Sequence, residues 1–109
     1  MNNSIIFLDI RTKEEYCTGH VCDAILIETP LPPLNQLHIN TLQSKIKNIV
    51  KQLDKDKIIY VYCKKGIRSG IALEMLNKEG MNNVISLGGV KKGKIKTLIE
   101  NNQIKMCNC

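Results

Sequence analysis

The sequence predicts an α/β domain built on a largely parallel sheet, and three features predict it. Two are short, nearly continuous apolar runs, Ser4 to Ile10 and Ile58 to Tyr62, which is how strands buried on both faces of a sheet read. The third is helical spacing between and after them. Leu42, Ile46, Ile49, Val50 and Leu53 share one face of a helix over Thr41 to Leu53, and Ile67, Ile71, Met75 with Ala72, Leu76 recur at helical intervals. At 109 residues and 43% hydrophobic content the chain is long enough for one real core and too short for two. One domain over 1–105, followed by a tail at 106–109, is the expected organisation.

Taken in order, the first strand is interrupted by Asp9 near its carboxyl end. Ligands bind at that edge of open α/β sheets, so a carboxylate there faces the site or organises its loops. Thr12 can cap a short helix over Lys13 to Thr18 that Gly19 stops, and Ile25 to Ile27 is β-like. Pro30, Pro32 and Pro33 mark an irregular connection; Leu34 to Asn40 has no decisive period and reads as a loop or a short turn of helix. Asp54 to Lys57 turns the chain into the strand that ends at Cys63. The following helix ends around Lys78 to Gly80, another strand lies within Met81 to Gly89, and Lys91 to Asn101 reads as a last helix with Ile95, Leu98 and Ile99 inward.

A net charge of +6 and a pI near 9.1 invite a nucleic-acid reading. Yet 14 of the 16 basic residues are lysine, and Phe7 and three tyrosines offer little to stack on bases, so solvated lysine faces explain the charge and no nucleic-acid partner is expected. No apolar run approaches the length of a membrane span or a secretory signal. The five cysteines, at 17, 22, 63, 107 and 109, form an odd set without the dense spacing of a secreted disulfide scaffold, and a reducing, cytoplasmic setting is expected. No ligand set for a metal is evident, and no cofactor is expected.

The chemistry concentrates where a strand meets a helix. Cys63 ends the run Ile58 to Tyr62, Lys64 and Lys65 follow, Gly66 can take backbone angles that other residues resist, and the helical pattern starts at Ile67. N–H groups at such a junction lack intrahelical partners and converge on one point, where they favour negative charge. A thiolate is such a charge. A cysteine at a strand end is more often a buried structural thiol, but the two lysines, the glycine and Arg68 around it make Cys63 an activated nucleophile here.

Cys63-Lys64-Lys65-Gly66-Ile67-Arg68-Ser69 resembles the active-site loop of the rhodanese (sulfurtransferase) family, Cys-x-x-Gly-x-Arg-Ser. Two further segments resemble the same family in the right order: Asp9 to Val21, which carries Asp-x-Arg-x-x-x-Glu-Tyr-x-x-Gly-His and a hydrophobic residue, and the strand from Met81 to Gly89 with its Gly-Gly end. Cys22-Asp23 stands where the family prefers Pro-Gly, so the turn after His20 is expected to differ. The resemblance implies a three-layer domain, a mostly parallel central sheet with helices on both faces. It also implies a sulfurtransferase that moves a sulfane sulfur through a persulfide on Cys63. The donor would be a small anion such as thiosulfate, and the acceptor a thiol, cyanide or a protein. Lys64 and Lys65 would attract the donor while the amides from Lys64 to Ser69 hold the persulfide. Asp9, Arg11, Glu15 and His20 would support the site, Arg68 would either touch substrate or brace the loop through Asp9 or Glu15, with bracing favoured, and His20 would be a hydrogen-bonded structural histidine rather than a base.

Two rival readings stand beside it. A cysteine phosphatase or arsenate reductase wraps its oxyanion in Cys-x5-Arg, whereas only four residues separate Cys63 from Arg68, a tighter ring suited to a single sulfur. A non-catalytic rhodanese-like binding module commonly lacks the cysteine. The segment Met106-Cys107-Asn108-Cys109 reads as a frayed chain end with incidental thiols, the sharper alternative being an exposed dithiol that takes sulfur from Cys63 or resolves it.

Overall fold

The computed structural model describes residues 5–90 and 93–109. In chain order they form β1 (Ile5–Asp9), α1 (Lys13–Thr18), β2 (His20–Val21), β3 (Ile25–Leu26), α2 (Gln36–Val50), β4 (Ile58–Cys63), α3 (Ile67–Lys78), β5 (Val84–Gly89), α4 (Gly93–Glu100) and β6 (Met106–Cys107). Four strands make a parallel sheet in the order β3-β1-β4-β5, with helices on its faces, and β2 pairs antiparallel with β6 in a separate two-stranded ribbon. The three-layer α/β architecture expected from the sequence is the one observed.

Alternation along the central strands divides the core in two. Leu8 and Ile10 from the β1 segment and Ile59, Val61 and Cys63 from β4 join Leu42, Ile46 and Val50 of α2 and Ala72 and Leu76 of α3 in one buried cluster. Tyr62, between those β4 residues, points the other way and packs with Val21, Ala24, Leu87, Val90 and Ile95, with Phe7, Tyr60 and Leu98 partly buried beside them. Both faces are covered, which is why β1 and β4 read as nearly continuous apolar runs. The carboxyl ends of β1 and β4 are adjacent, Asp9 opposite Tyr62, so the segments that leave them meet at one edge.

Local signals set the helix bounds. Thr12 and Glu15 form a reciprocal capping box on α1 and Gly19 closes it, as the sequence predicts. Helix α2 starts earlier than its apolar periodicity. Asn35 is its N-cap, accepting from the His38 N–H at 2.8 Å while His38 Nδ1 accepts from the Asn35 N–H at 3.2 Å. Its first turn is only partly covered, with Gln36 and Leu37 exposed and His38 and Ile39 half-buried, so it has no apolar spacing to announce it. The first strand's start at residue 4 and the last helix's at 91–92 lie outside the described residues. After His20 the turn closes with the Ala24 N–H on the Val21 carbonyl at 3.0 Å, and Asp23 takes a φ of +70°, a left-handed angle that aspartate tolerates better than most side chains.

The cysteines depart most from the sequence expectation. Cys17 is bonded to Cys109 and Cys22 to Cys107, leaving Cys63 as the free thiol. The segment read as a frayed end is therefore β6, held on β2 by its strand pairing, by the Cys22 N–H on the Lys105 carbonyl at 2.9 Å and by the Cys109 N–H on the Cys17 carbonyl at 3.2 Å. Partners separated by 92 and 85 residues have no spacing signature, so only the folded topology reveals the pairs. The pairing leaves neither Cys107 nor Cys109 a free thiol, which counts against an exposed relay dithiol.

Alkylating the unfolded, unreduced protein should therefore modify Cys63 alone, and reduction should expose the other four thiols to a second label. Because each bond closes a long loop, reduction should cost about 3–5 kcal/mol of stability, read as a lower denaturant midpoint. Five reactive thiols before reduction would refute both pairings.

Candidate active site

Cys63 is the last residue of β4 and only 1% exposed. Its carbonyl accepts the Val90 N–H at 2.8 Å, which fixes the end of the strand against the segment following β5. The chain then has to reverse within a few residues to begin α3, and Gly66 makes this possible with a φ of +100° at the N-cap. A second constraint comes from β5: a Cβ on Gly89 would collide with the Lys64 carbonyl, so this glycine lets the loop lie directly on the strand.

The reversal wraps N–H groups around the sulfur. Cys63 Sγ accepts from the Gly66 N–H at 3.0 Å and from the Ser69 N–H at 3.4 Å, and the Ser69 hydroxyl lies 3.5 Å away. Burial alone raises the Cys63 pKa, but hydrogen bonds from the Ser69 side chain and from the backbone of Ser69, Gly66 and Lys65 outweigh it and bring the thiol below its ordinary value. The backbone share of this pull comes from fixed dipoles, which need not reorganise when charge develops. Leu31, Pro32, Cys63, Lys64, Lys65, Ile67 and Arg68 line a cavity of about 280 Å³. Ile67 and Leu31 stand at it with 57% and 59% exposure, so Ile67 shapes the cavity and does not fill the core as its helical spacing suggested.

Arg68 is 2% exposed and its guanidinium is directed at α1. Nη1 and Nη2 donate to Glu15 Oε1 and Oε2 at 2.8 and 3.0 Å, and Nη1 also donates to the Thr29 carbonyl at 3.3 Å; Nε, equally buried, has no partner among the described residues. Glu15 Oε1 meanwhile accepts the Thr12 N–H at 2.9 Å, so one carboxylate caps α1 and anchors α3. Hydrogen bonding from Arg68 leads the causes that hold the Glu15 pKa down to about 2 against the opposing effect of burial. Asp9 is paired elsewhere, taking both oxygens to Arg11 Nε and Nη2 at 2.7 Å each, and Arg11 Nη2 also donates to the Gly19 carbonyl at 2.6 Å. Of the two carboxylates the sequence offered to Arg68, the structure selects Glu15.

His20 is not brought to the sulfur. It lies in β2, stacked on Tyr16 with ring centroids 3.6 Å apart and Nδ1 2.8 Å from the Tyr16 carbonyl, and it is not among the residues that line the cavity beside Cys63. Sequence reasoning missed Leu31 and Pro32, hidden in a connection read only as irregular, and Thr29, whose contribution is a carbonyl and leaves no side-chain signal.

A family model described as the rhodanese-like domain matches residues 1–96. The chain is 36% identical over 92 residues to the uncharacterized protein YqhL of Bacillus subtilis, covering 82% of this chain and 62% of that protein. It is 34% identical over 85 residues to the thiosulfate sulfurtransferase PspE of Escherichia coli, covering 78% and 70%. Thus it spans about two thirds of the length of these relatives. Among solved structures, a rhodanese with anions from E. coli superposes with a TM-score of 0.67 at 25% identity, over 96% of this chain and 99% of the other. A Helicobacter pylori protein gives 0.64 at 25% identity, over 99% and 83%.

The Glu15–Arg68 pair generates a test by pH. A carboxylate whose folded pKa is lowered from 4.5 to about 2 contributes stability that is present above the unfolded value and lost as pH falls through the folded one. Glu15→Gln, which leaves a buried guanidinium without its charge partner, should destabilise the domain by on the order of 3 kcal/mol at neutral pH. Urea midpoints should show the gap between variant and wild type narrowing from about pH 4.5 down to about pH 2. A gap independent of pH would mean that the ion pair does not hold the two helices.

Proposed function

The chain belongs to the rhodanese-like domain family, and from that premise we propose that it is a sulfurtransferase that carries a sulfane sulfur as a persulfide on Cys63, with thiosulfate or a similar small anion as donor. The observation that carries the reading is the buried sulfur of Cys63 held by the Gly66 and Ser69 N–H groups. The thiolate attacks the outer sulfur of thiosulfate along the sulfur–sulfur bond. That bond breaks, sulfite departs with its electron pair, and Cys63 becomes –S–S⁻ with total charge conserved. A thiol, as its thiolate, or cyanide then attacks the outer sulfur and returns Cys63 to the thiolate, a double displacement that needs no general base once the thiolate exists. The N–H groups that favour the thiolate also favour the terminal persulfide charge. The Lys64 and Lys65 side chains line the cavity without hydrogen bonds to other described residues and draw in the dianionic donor.

The disposition of Arg68 weighs against phosphoryl or arsenate chemistry. A Cys-x5-Arg loop needs its guanidinium free to clamp an oxyanion, and here two of the three guanidinium nitrogens are committed to Glu15, one of them also to Thr29, while the third is buried. The retained Cys63 and its lowered pKa weigh against a purely binding role.

Intact mass after incubation with thiosulfate should rise by one sulfur atom in the wild type and not in Cys63→Ser, which should remain folded yet lose thiosulfate:cyanide transfer. Replacing Lys64 and Lys65 with Gln should raise the thiosulfate KM roughly 3- to 10-fold at low ionic strength and flatten its salt dependence. Turnover in Cys63→Ser would remove the mechanism; unchanged kinetics in the lysine variant would remove those side chains from donor capture.

A further inference from the structure

Beyond the cradle of N–H groups, the Cys63 sulfur ends a short chain of two hydroxyls, and its far member, Ser86, has no part in the mechanism above. Ser69 Oγ is 3.5 Å from Cys63 Sγ, 3.1 Å from the Gly66 carbonyl and 3.1 Å from Ser86 Oγ, and Ser86 Oγ accepts the Gly88 N–H at 3.3 Å. Ser69 is fully buried at the start of α3, whereas Ser86 is half-buried on β5.

Each hydroxyl has one proton, and counting protons fixes the direction of the chain. The single Ser69 proton is given to the Gly66 carbonyl, so at the contact between the two hydroxyls Ser86 donates and Ser69 accepts. In the thiol state the Cys63 S–H points to Ser69 Oγ and the Ser69 proton goes to the Gly66 carbonyl; when the sulfur loses its proton it becomes a second acceptor for the Ser69 hydroxyl. While the sulfur is a thiol, the carbonyl is the better acceptor. Once the sulfur is charged, a small rotation of the Ser69 hydroxyl gives it a donor beyond the backbone N–H groups, and the bond received from Ser86 both polarises and orients that hydroxyl. Resting on the reading of Cys63 as the sulfur carrier, we propose that Ser86 is a positioning residue for the reaction: it acts through Ser69, directing the Ser69 hydroxyl toward the sulfur whenever thiolate or persulfide charge resides there.

The charged groups near the sulfur are Lys64 and Lys65 on its own loop, Arg68 with Glu15 where α3 meets α1, and the Asp9–Arg11 pair on the β1 side. A neutral substitution at Ser86 leaves all of them in place, so a shift in Cys63 titration reports the hydroxyl chain.

The test compares Ser86→Thr with Ser86→Val, which share a shape and differ in the hydroxyl, and reads the pH dependence of Cys63 alkylation. Ser86→Val should move the inflection upward by roughly half a unit to one unit, and Ser86→Thr should restore the wild-type value. In a Ser69→Ala background the Val substitution should move it no further, because the link through Ser69 is already cut. Equal shifts in the Thr and Val variants, no shift in either, or an additive shift in the Ser69→Ala background would each overturn the proposal. Because alkylation needs no sulfur donor, the result stands apart from the sulfurtransferase reading. A protein that shows this pattern yet never gains sulfur from thiosulfate would retain the hydroxyl chain and lose the assigned reaction.

Discussion

A sulfur that is to carry charge while almost wholly removed from water must receive from the protein what solvent would have supplied. This constraint governs the domain. Backbone N–H groups can do it only where they are unspent, and a helix beginning directly after a strand supplies them. The strand end must be central for Cys63 to be buried, the reversal must be tight, and the neighbouring strand must let the loop come close. Gly66 and Gly89 satisfy the last two conditions, one by its backbone angle and the other by its missing Cβ.

Rigidity of that loop is secured from the opposite side of the site. Glu15 lies in a six-residue helix that buries none of its residues, an element with little cohesion of its own. Its capping box and its ion pair with Arg68 share one carboxylate, so formation of α1 and fixation of the first turn of α3 become a single event. Two acid–base pairs lie along this edge with exclusive partners, Asp9 with Arg11 and Glu15 with Arg68. The division keeps Arg11 tied to the end of α1 through Gly19 and leaves Arg68 to join α1 to α3.

What could be read in the chain followed the range of each signal. β1, β4 and α3 were legible because burial writes a short period into consecutive residues, and α1 because Thr12, Glu15 and Gly19 act within one turn of each other. The Cys63 loop was legible for the same reason: cradle, glycine and helix start are contiguous. The first turn of α2, held by Asn35 and His38 with an exposed face, gave no apolar pattern. Leu31, Thr29 and Ser86 reach the site across loops or strands and are ordinary residues in their own segments. The disulfides are the extreme case, since each joins residues more than eighty positions apart. Where a contact is non-local, one sequence holds its two halves and no mark that they belong together.

Those two bonds also make the chain, from Cys17 to Cys109, a covalent ring with a second ring from Cys22 to Cys107 nested inside it. A single backbone cut between 22 and 107 would leave the polypeptide in one piece. Tension applied at residue 109 and residue 22 would run through the bonds and bypass the sheet. β1 alone among the described strands lies outside both rings, although it sits between β3 and β4 at the middle of the sheet. It is therefore the strand that non-covalent forces alone must retain, and a pull on the residues before it would load its hydrogen bonds directly, detaching Asp9 and Arg11 from the site while Cys63 and its loop stay enclosed.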